Sequence, residues 1–128
     1  MVSDRRRCIF VHVPRTGGTS IESSFKWHNE AQKHYSARSI YNQVGDKKWD
    51  SYFKFTFVRN PWDRAVSLWH QPANTALGPQ EGHSLGFFLS HHKPPQHEQG
   101  NTLCDYLNHG DMDFIGRFEN RGSDLEYI

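Results

Sequence analysis

The feature that most constrains this chain is an apolar run that ends at a proline and a glycine pair. Residues 8–13, Cys-Ile-Phe-Val-His-Val, are nearly continuously apolar and rich in β-branched and aromatic side chains. A run of this length and type predicts a strand buried on both faces, as in a parallel sheet. Pro14 ends the run, Gly17 and Gly18 form a turn, and Thr19-Ser20 offer a helix start. The segment therefore predicts a strand, a glycine loop and a helix in that order.

A second strand and helix repeat this order. Residues 52–58 alternate in the way that a strand does, with three phenylalanines on one face. Pro61 suits the first turn of a helix that is expected to run to about His70. Trp62 and Trp69 lie at helical spacing on one face of that helix, so both are predicted to be core residues.

Weaker patterns predict the remaining elements. The first helix is expected to reach about Asn29, and a second to span Ser36 to Val44 with Gly45 as its stop. A short helix near 103–107, a third strand at 114–118 and a helix after Asn120 complete the prediction, while 71–100 is irregular apart from 85–89. The fold class is α/β, a small three-layer, P-loop-like parallel sheet flanked by helices. Residues 1–128 are predicted to form a single domain with 71–100 as an irregular insertion.

Charge and composition exclude several classes of function. The formal net charge is +1, which gives no support to a general nucleic-acid binder, so any anion site must be local. No apolar run approaches the length of a membrane span or a signal peptide, so we expect a cytoplasmic protein with no membrane partner. The chain has two cysteines and nine histidines, and their spacings match no metal site. We expect no metal.

The loop of residues 14–20 has the composition of a phosphate-binding turn. Its glycines let the backbone wrap so that successive N–H groups point at an anion, and the helix N-terminus adds its own N–H groups. Arg15 adds a fixed charge, and Thr16, Thr19 and Ser20 add hydroxyl donors. A plain strand-to-helix turn remains the alternative. The nucleoside-triphosphate P-loop fits poorly, because no lysine precedes Thr19 or Ser20 and the glycine spacing differs.

A second candidate half-site follows the second strand. Arg59 lies at the carboxyl end of that strand, where ligands gather in open α/β sheets, and Ser67 lies two turns into the next helix. A guanidinium and a hydroxyl so placed can converge on one phosphate. Arg64, between them, is equally well explained by a surface ion pair.

The two motifs together resemble a known family. Val-Pro-Arg-Thr-Gly-Gly-Thr-Ser after one strand, with Phe-Val-Arg-Asn-Pro-Trp-Asp-Arg-Ala-Val-Ser after a later one, is similar to sulfotransferases that use 3′-phosphoadenosine 5′-phosphosulfate (PAPS). Residues 34–37 and 113–120 resemble the branch that includes carbohydrate and heparan-sulfate 2-O-sulfotransferases and their bacterial relatives. The likeness runs, with gaps, from about Cys8 to Asn120.

The resemblance implies an activity and a set of roles. It implies sulfuryl transfer from PAPS to a hydroxyl acceptor, a carbohydrate or small molecule by family likeness, leaving 3′-phosphoadenosine 5′-phosphate (PAP). Residues Arg15, Thr16, Gly17, Gly18, Thr19 and Ser20 would hold the 5′-phosphosulfate, and Arg59 with Ser67 the 3′-phosphate. Arg15 stands where the family often has lysine, and would stabilise the leaving phosphate.

A catalytic base completes the predicted site. His34 is the first candidate, since an ordinary histidine pKa of about 6.5 suits proton acceptance near neutrality and its position resembles that of the family histidine. Glu22 is the second candidate, although a solvated helix face is its expected environment. His12, at the end of the buried strand, is expected to be a hydrogen-bonded core residue.

Length bears on the alternatives. The family domain is longer and its later part carries a further loop over the cofactor, so we expect a trimmed version, a fragment or a site completed by a partner chain. Few strands leave an exposed sheet edge, which favours a homodimer. Two other functions stay open: a non-catalytic PAPS or PAP binder, and a nucleoside-triphosphate kinase.

Overall fold

The protein was analysed as a computed structural model, which describes residues 1–27, 34–71, 77–91 and 103–128. A four-stranded sheet runs through it in the order β1 (Val2–Ser3), β2 (Cys8–Val11), β3 (Phe53–Val58) and β4 (Phe114–Arg117). Strands β2, β3 and β4 are parallel, with Phe10 opposite Phe55 and Phe55 opposite Phe114. Strand β1 pairs antiparallel with β2 and was not predicted, because two residues carry no readable alternation.

Six helices occur in the described part of the chain. They are α1 (Gly18–Phe25), α2 (Ala37–Ser51), α3 (Pro61–Trp69), α4 (Leu85–His91), α5 (Leu103–Tyr106) and α6 (Arg121–Tyr127). Short 3-10 turns span Pro79–Glu81 and Phe118–Asn120. Among the described residues, no helix combines the length and the apolar character needed to span a bilayer.

Two apolar clusters on opposite faces of the sheet make three layers. Phe10, Phe55 and Phe57 point to the face that carries Ile21 of α1, and Leu125 of α6 packs there too. Ile9 and Val11 point to the other face, against Ala37, Ile40 and Trp49 of α2. Strand β2 is buried along its whole length because helices cover both of its faces. The predicted α/β class, with a parallel sheet between helices, is confirmed.

Helix α1 ends earlier than predicted. Lys26 takes a left-handed conformation with φ 55°, although it is not glycine, and so stops the helix after Phe25. The Trp27 N–H then donates to the Glu22 carbonyl at 2.9 Å, and the Trp27 ring stacks on Phe25 and Phe10. Burial of this ring explains the early stop. Residues 28–33, which include the predicted helix end at Asn29, lie outside the described part.

Gly45 ends the first part of α2, as predicted, because its φ of 72° and ψ of 171° are not helical. A further helical stretch that the sequence did not predict follows this kink and ends at Ser51. One expectation about a helix is corrected. Trp62 is not a core residue, since 73% of it is exposed. At 100° per residue, Trp62 lies 200° from Arg64, and it is the Arg64 face of α3 that turns toward the loop after β2. A search for a buried apolar stripe misreads this helix because its half-buried residues mix Arg64 and Ser67 with Ala65, Leu68 and Trp69.

Candidate functional site

The loop between β2 and α1 is wound by two left-handed residues. Arg15 has φ 67° and Gly17 has φ 83°. A left-handed arginine is uncommon and tends to occur at functional sites. The Thr16 hydroxyl donates to the Val13 carbonyl at 2.8 Å, which closes the loop from inside. Alternation of right- and left-handed residues turns successive N–H groups toward one side, the shape that binds anions.

Helix α1 presents its N-terminus to this loop without a side-chain cap. Its first residue is Gly18, and Gly17 is the N-cap residue, so the predicted start at Thr19-Ser20 is one residue late. No acidic residue lies in the first turn. The Ser20 N–H donates to the Gly17 carbonyl at 3.1 Å. Uncapped N–H groups and the positive end of the helix dipole both favour an anion here.

Two arginines from the second motif hold carbonyl groups of the loop. Arg64 Nε donates to the Pro14 carbonyl at 3.0 Å, and Arg59 Nη1 to the Arg15 carbonyl at 3.4 Å. Burial lowers the pKa of Arg64 from its ordinary value. Arg64 therefore supports the loop backbone, a role that the sequence did not predict beside the surface ion pair it allowed. These bonds satisfy carbonyl oxygens that would otherwise repel a bound anion.

The two predicted half-sites meet in one hydrogen bond. Arg15 Nε donates to Ser67 Oγ at 2.9 Å, across 52 positions of sequence. The result is a cleft of about 390 Å³, within the range of small-molecule sites. From the loop and α1 it is lined by Pro14, Arg15, Gly17, Gly18 and Thr19. From elsewhere it is lined by His12, His34, Arg59, Ser67, Gln71 and Phe118.

The positive charge of the cleft has no directly paired carboxylate among the described residues, although Glu119 interacts electrostatically with Arg59. Within the described residues, neither Arg15 nor Arg59 forms an ion pair. Arg59 stacks on the Phe118 ring, with its Cζ 4.2 Å from the ring centroid. Its Nε is buried and has no hydrogen-bond partner among those residues. A buried donor without a partner is rare in folded proteins and is expected where a ligand completes the site.

Histidines and a glutamate form the floor of the cleft. His12 is 3% exposed, and its Nδ1 lies 2.5 Å from Oε1 of Glu22, which is itself buried. The expectation that His12 is a hydrogen-bonded core residue is confirmed, whereas the expected solvation of Glu22 is wrong. The His34 ring lies 4.5 Å from the His12 ring, centroid to centroid. The sequence did not predict the contact between His12 and Glu22, because ten positions separate them and the path of the loop between them could not be read from the sequence.

His34 has a preferred proton position. Its Nδ1 lies 3.4 Å from the carbonyl oxygen of His12. Because a carbonyl oxygen only accepts hydrogen bonds, this contact favours the tautomer that carries the proton on Nδ1. The remaining nitrogen, Nε2, is then the basic one. This is the protonation state that a proton acceptor at the cleft requires.

The structure thus gathers most of the predicted site residues. Arg15, Gly17, Gly18, Thr19, His34, Arg59 and Ser67 line one cleft. Thr16 is fully buried with its hydroxyl on Val13, and Ser20 is exposed on α1; neither side chain is part of the lining, and their binding role stays a prediction. Phe118 and Gln71 were not foreseen as lining residues. Phe118 lies in 113–120, a stretch predicted to hold a strand and to resemble the family but given no binding role, and nothing in the pattern singles out Gln71.

Fold and cleft together define an α/β protein with a glycine loop and an arginine-rich cleft at the carboxyl edge of its parallel strands. The sulfotransferase family model matches residues 1–128, and the chain belongs to the sulfotransferase family. A search of curated proteins and a search of solved structures each found no match.

Proposed function

We propose that this protein transfers a sulfuryl group from PAPS to a hydroxyl acceptor. The observation that carries the proposal is the hydrogen bond from Arg15 to Ser67, which joins both phosphate motifs in one cleft. Membership of the sulfotransferase family supports a sulfate donor in general. The presence of two separated groups of anion donors supports a donor with two phosphate positions, as PAPS has.

The chain's residues fit such a donor on their own chemistry. The loop amides, Gly17 to Thr19 and the free end of α1 would hold the 5′-phosphosulfate. Arg59, whose Nε has no hydrogen-bond partner among the described residues, would bind the 3′-phosphate with Ser67. Arg15 uses Nε for Ser67, so its Nη groups would be left to stabilise the oxygen that joins phosphorus to sulfur in the 5′-phosphosulfate.

In the reaction, the sulfur–oxygen bond to the phosphate breaks as a bond from sulfur to the acceptor oxygen forms, and PAP leaves. His34 Nε2 would take the acceptor proton. Arg15 and the loop amides would stabilise the negative charge that develops on the leaving phosphate. The resemblance of residues 34–37 and 113–120 supports the carbohydrate and heparan-sulfate 2-O-like branch, and we propose a carbohydrate hydroxyl as the acceptor.

The donor is tested by calorimetric titration with PAP. We expect PAP to bind without magnesium and more tightly than ADP, because ADP lacks the 3′-phosphate. Arg59→Ala should weaken PAP binding by about ten- to a hundredfold, the equivalent of one charge-assisted hydrogen bond. Binding of adenosine 5′-phosphosulfate, which has no 3′-phosphate, should change little.

Arg5→Ala is the matched control, because Arg5 is exposed and the substitution removes the same charge away from the cleft. If Arg59→Ala lost affinity equally for PAP and for adenosine 5′-phosphosulfate, the 3′-phosphate would have to bind elsewhere. A requirement for magnesium with preference for ATP would replace the proposal with a kinase.

Transfer itself is tested with labelled PAPS and a panel of carbohydrate and small hydroxyl acceptors. His34→Asn should lower the turnover rate by a factor of about a hundred or more while leaving PAP affinity unchanged. His83→Asn, on the turn before α4, is the control and should keep full activity. PAP binding without turnover on any acceptor would instead identify a non-catalytic relative.

A further inference from the structure

A third guanidinium lies against the phosphate loop, and it comes from the far end of the chain. Arg121 is the first residue of α6. Its Nη1 lies 2.9 Å from the position that a Cβ on Gly17 would occupy. Gly17 therefore leaves room for this side chain as well as adopting φ 83°. Neither the motifs nor the family match assigns Arg121 a role.

Arg121 shares an aromatic ring with the arginine of the second half-site. Its Cζ lies 5.3 Å from the centroid of the Phe118 ring, and that of Arg59 lies 4.2 Å from the same centroid. Two guanidinium groups on one ring repel each other unless a negative charge lies near both. Among the described residues, the Arg121 guanidinium has no carboxylate partner and no hydrogen bond.

Carboxylates do occur nearby, but they bond to the backbone. Glu119 Oε1 accepts from the Asn60 N–H at 2.8 Å, and this bond lowers the pKa of Glu119. Asp124 Oδ2 accepts from the Arg117 N–H at 2.7 Å. The first bond fixes the turn after β4 to the start of α3, and the second fixes α6 to the end of β4. Both position Arg121 while leaving its charge uncompensated.

We propose that Arg121 is an anion-binding residue of the phosphate loop, directed at the group held between Gly17 and α1. In naming that group as the 5′-phosphosulfate, the inference rests on the proposed function. Arg121 then supplies charge from α6 to a loop that belongs to β2 and α1. The site is completed by the segment that follows β4, a contribution that the two motifs do not contain.

The test separates the two ends of the nucleotide. Wild type, Arg121→Ala and Arg121→Gln are titrated with adenosine 5′-phosphosulfate, 3′-AMP and inorganic pyrophosphate. Both variants should bind adenosine 5′-phosphosulfate and pyrophosphate about tenfold or more weakly than wild type does. Their affinity for 3′-AMP should fall by less than about twofold. Arg5→Ala should leave all three unchanged. The Gln variant keeps most of the aliphatic stem against Phe118, so a loss shared by both variants reports charge rather than packing.

The outcomes distinguish this inference from the proposed function. If wild type binds only pyrophosphate and Arg121→Ala weakens that binding, the anion-binding role of Arg121 is supported and the proposed adenosine nucleotide donor is wrong. If wild type binds adenosine 5′-phosphosulfate and both variants match it within about twofold, the Arg121 inference is overturned and the donor stands. If the Arg121 variants lost affinity for 3′-AMP alone, Arg121 would belong to the 3′-phosphate half-site and the proposal would be overturned. Failure of wild type to bind any of the three would overturn both.

Discussion

At the scale of single residues, Gly18 is required by the His12 ring rather than by backbone conformation. A Cβ at position 18 would lie 2.0 Å from His12 Nε2. The ring has little freedom to withdraw, because it is buried and bonded to Glu22 at 2.5 Å. Overpacking of this kind costs about 1–3 kcal/mol and sometimes more. We expect Gly18→Ala to lower the free energy of unfolding by at least about 2 kcal/mol in urea denaturation.

Gly122→Ala is the matched control at the residue scale. A Cβ there meets no atom within 4 Å, and the position lies in α6. Because alanine is favoured over glycine in helices, its stability should be unchanged or higher by up to about 1 kcal/mol. Equal destabilisation by both substitutions would show that the His12 contact is not the reason for Gly18.

The same pair of glycines shows what sequence can predict about single residues. The pattern identified Gly17 and Gly18 as a turn at a phosphate-type loop, which depends only on local backbone freedom. The pattern did not show that glycine is needed at the two positions for different reasons. Gly17 is left-handed and lies under Arg121, whereas Gly18 makes room for His12. Those neighbours are set by side-chain packing across the fold, which no local spacing records.

At the scale of elements, β3 and β4 are fastened at their starts by Asp113. Lys54 donates its backbone N–H to Asp113 Oδ2 at 2.7 Å, and the Asp113 N–H donates to the Lys54 carbonyl at 2.8 Å. The Lys54 ammonium lies 3.0 Å from the same carboxylate. Burial alone would raise the pKa of Asp113, but the bonds from Lys54 outweigh it, and the pKa falls below its ordinary value of 3.8.

This shift predicts a defined acid sensitivity. A carboxyl group with a lowered folded pKa adds stability that is fully present above its unfolded pKa and is lost as pH falls through the folded pKa. Asp113→Asn should therefore cost about 1 kcal/mol at pH 7, a value reduced because the carboxylate is partly exposed. The difference from wild type should shrink below about pH 4 in urea denaturation at a series of pH values.

Asp111→Asn is the control for charge in the same turn. Asp111 is exposed, so its substitution should leave stability nearly unchanged at every pH. If the gap between wild type and Asp113→Asn stays constant from pH 7 to about pH 3, the Lys54 bonds do not hold the carboxylate ionised.

Element prediction from sequence succeeded where periodicity and stop signals were strong. Strands β2, β3 and β4 and the helix after Asn120 were found from apolar runs and punctuation. It failed at the end of α1 and in the second part of α2, since a left-handed lysine and a short helical stretch after Gly45 leave no strong local signal. The stop at Lys26 accompanies the packing of Trp27 on Phe25 and Phe10, which local preference does not record.

At the scale of the whole molecule, the candidate site draws on three segments that are far apart in sequence. They are the β2–α1 loop, the β3–α3 junction and the turn from β4 into α6. They are joined by the Arg15–Ser67 bond, the Arg59–Phe118 stack and the Asn60–Glu119 bond. The sequence predicted the first two segments, because each carries a motif. It did not predict the third, since its contribution depends on where β4 places Phe118 and Arg121.

This assembly predicts that one ligand stabilises all three segments at once. A ligand at about a hundred times its Kd adds about 2.7 kcal/mol against any opening that releases it, which slows exchange through such openings by about a hundredfold. Hydrogen–deuterium exchange with saturating PAP should therefore show protection at 14–20, 59–67 and 118–122 together. Helix α4, which contributes no residue to the cleft lining, should show no change. Adenosine, which has no phosphate, is the control ligand and should protect none of them. Protection confined to 14–20 would mean that the loop binds the nucleotide alone, and that the junction of the two motifs is structural.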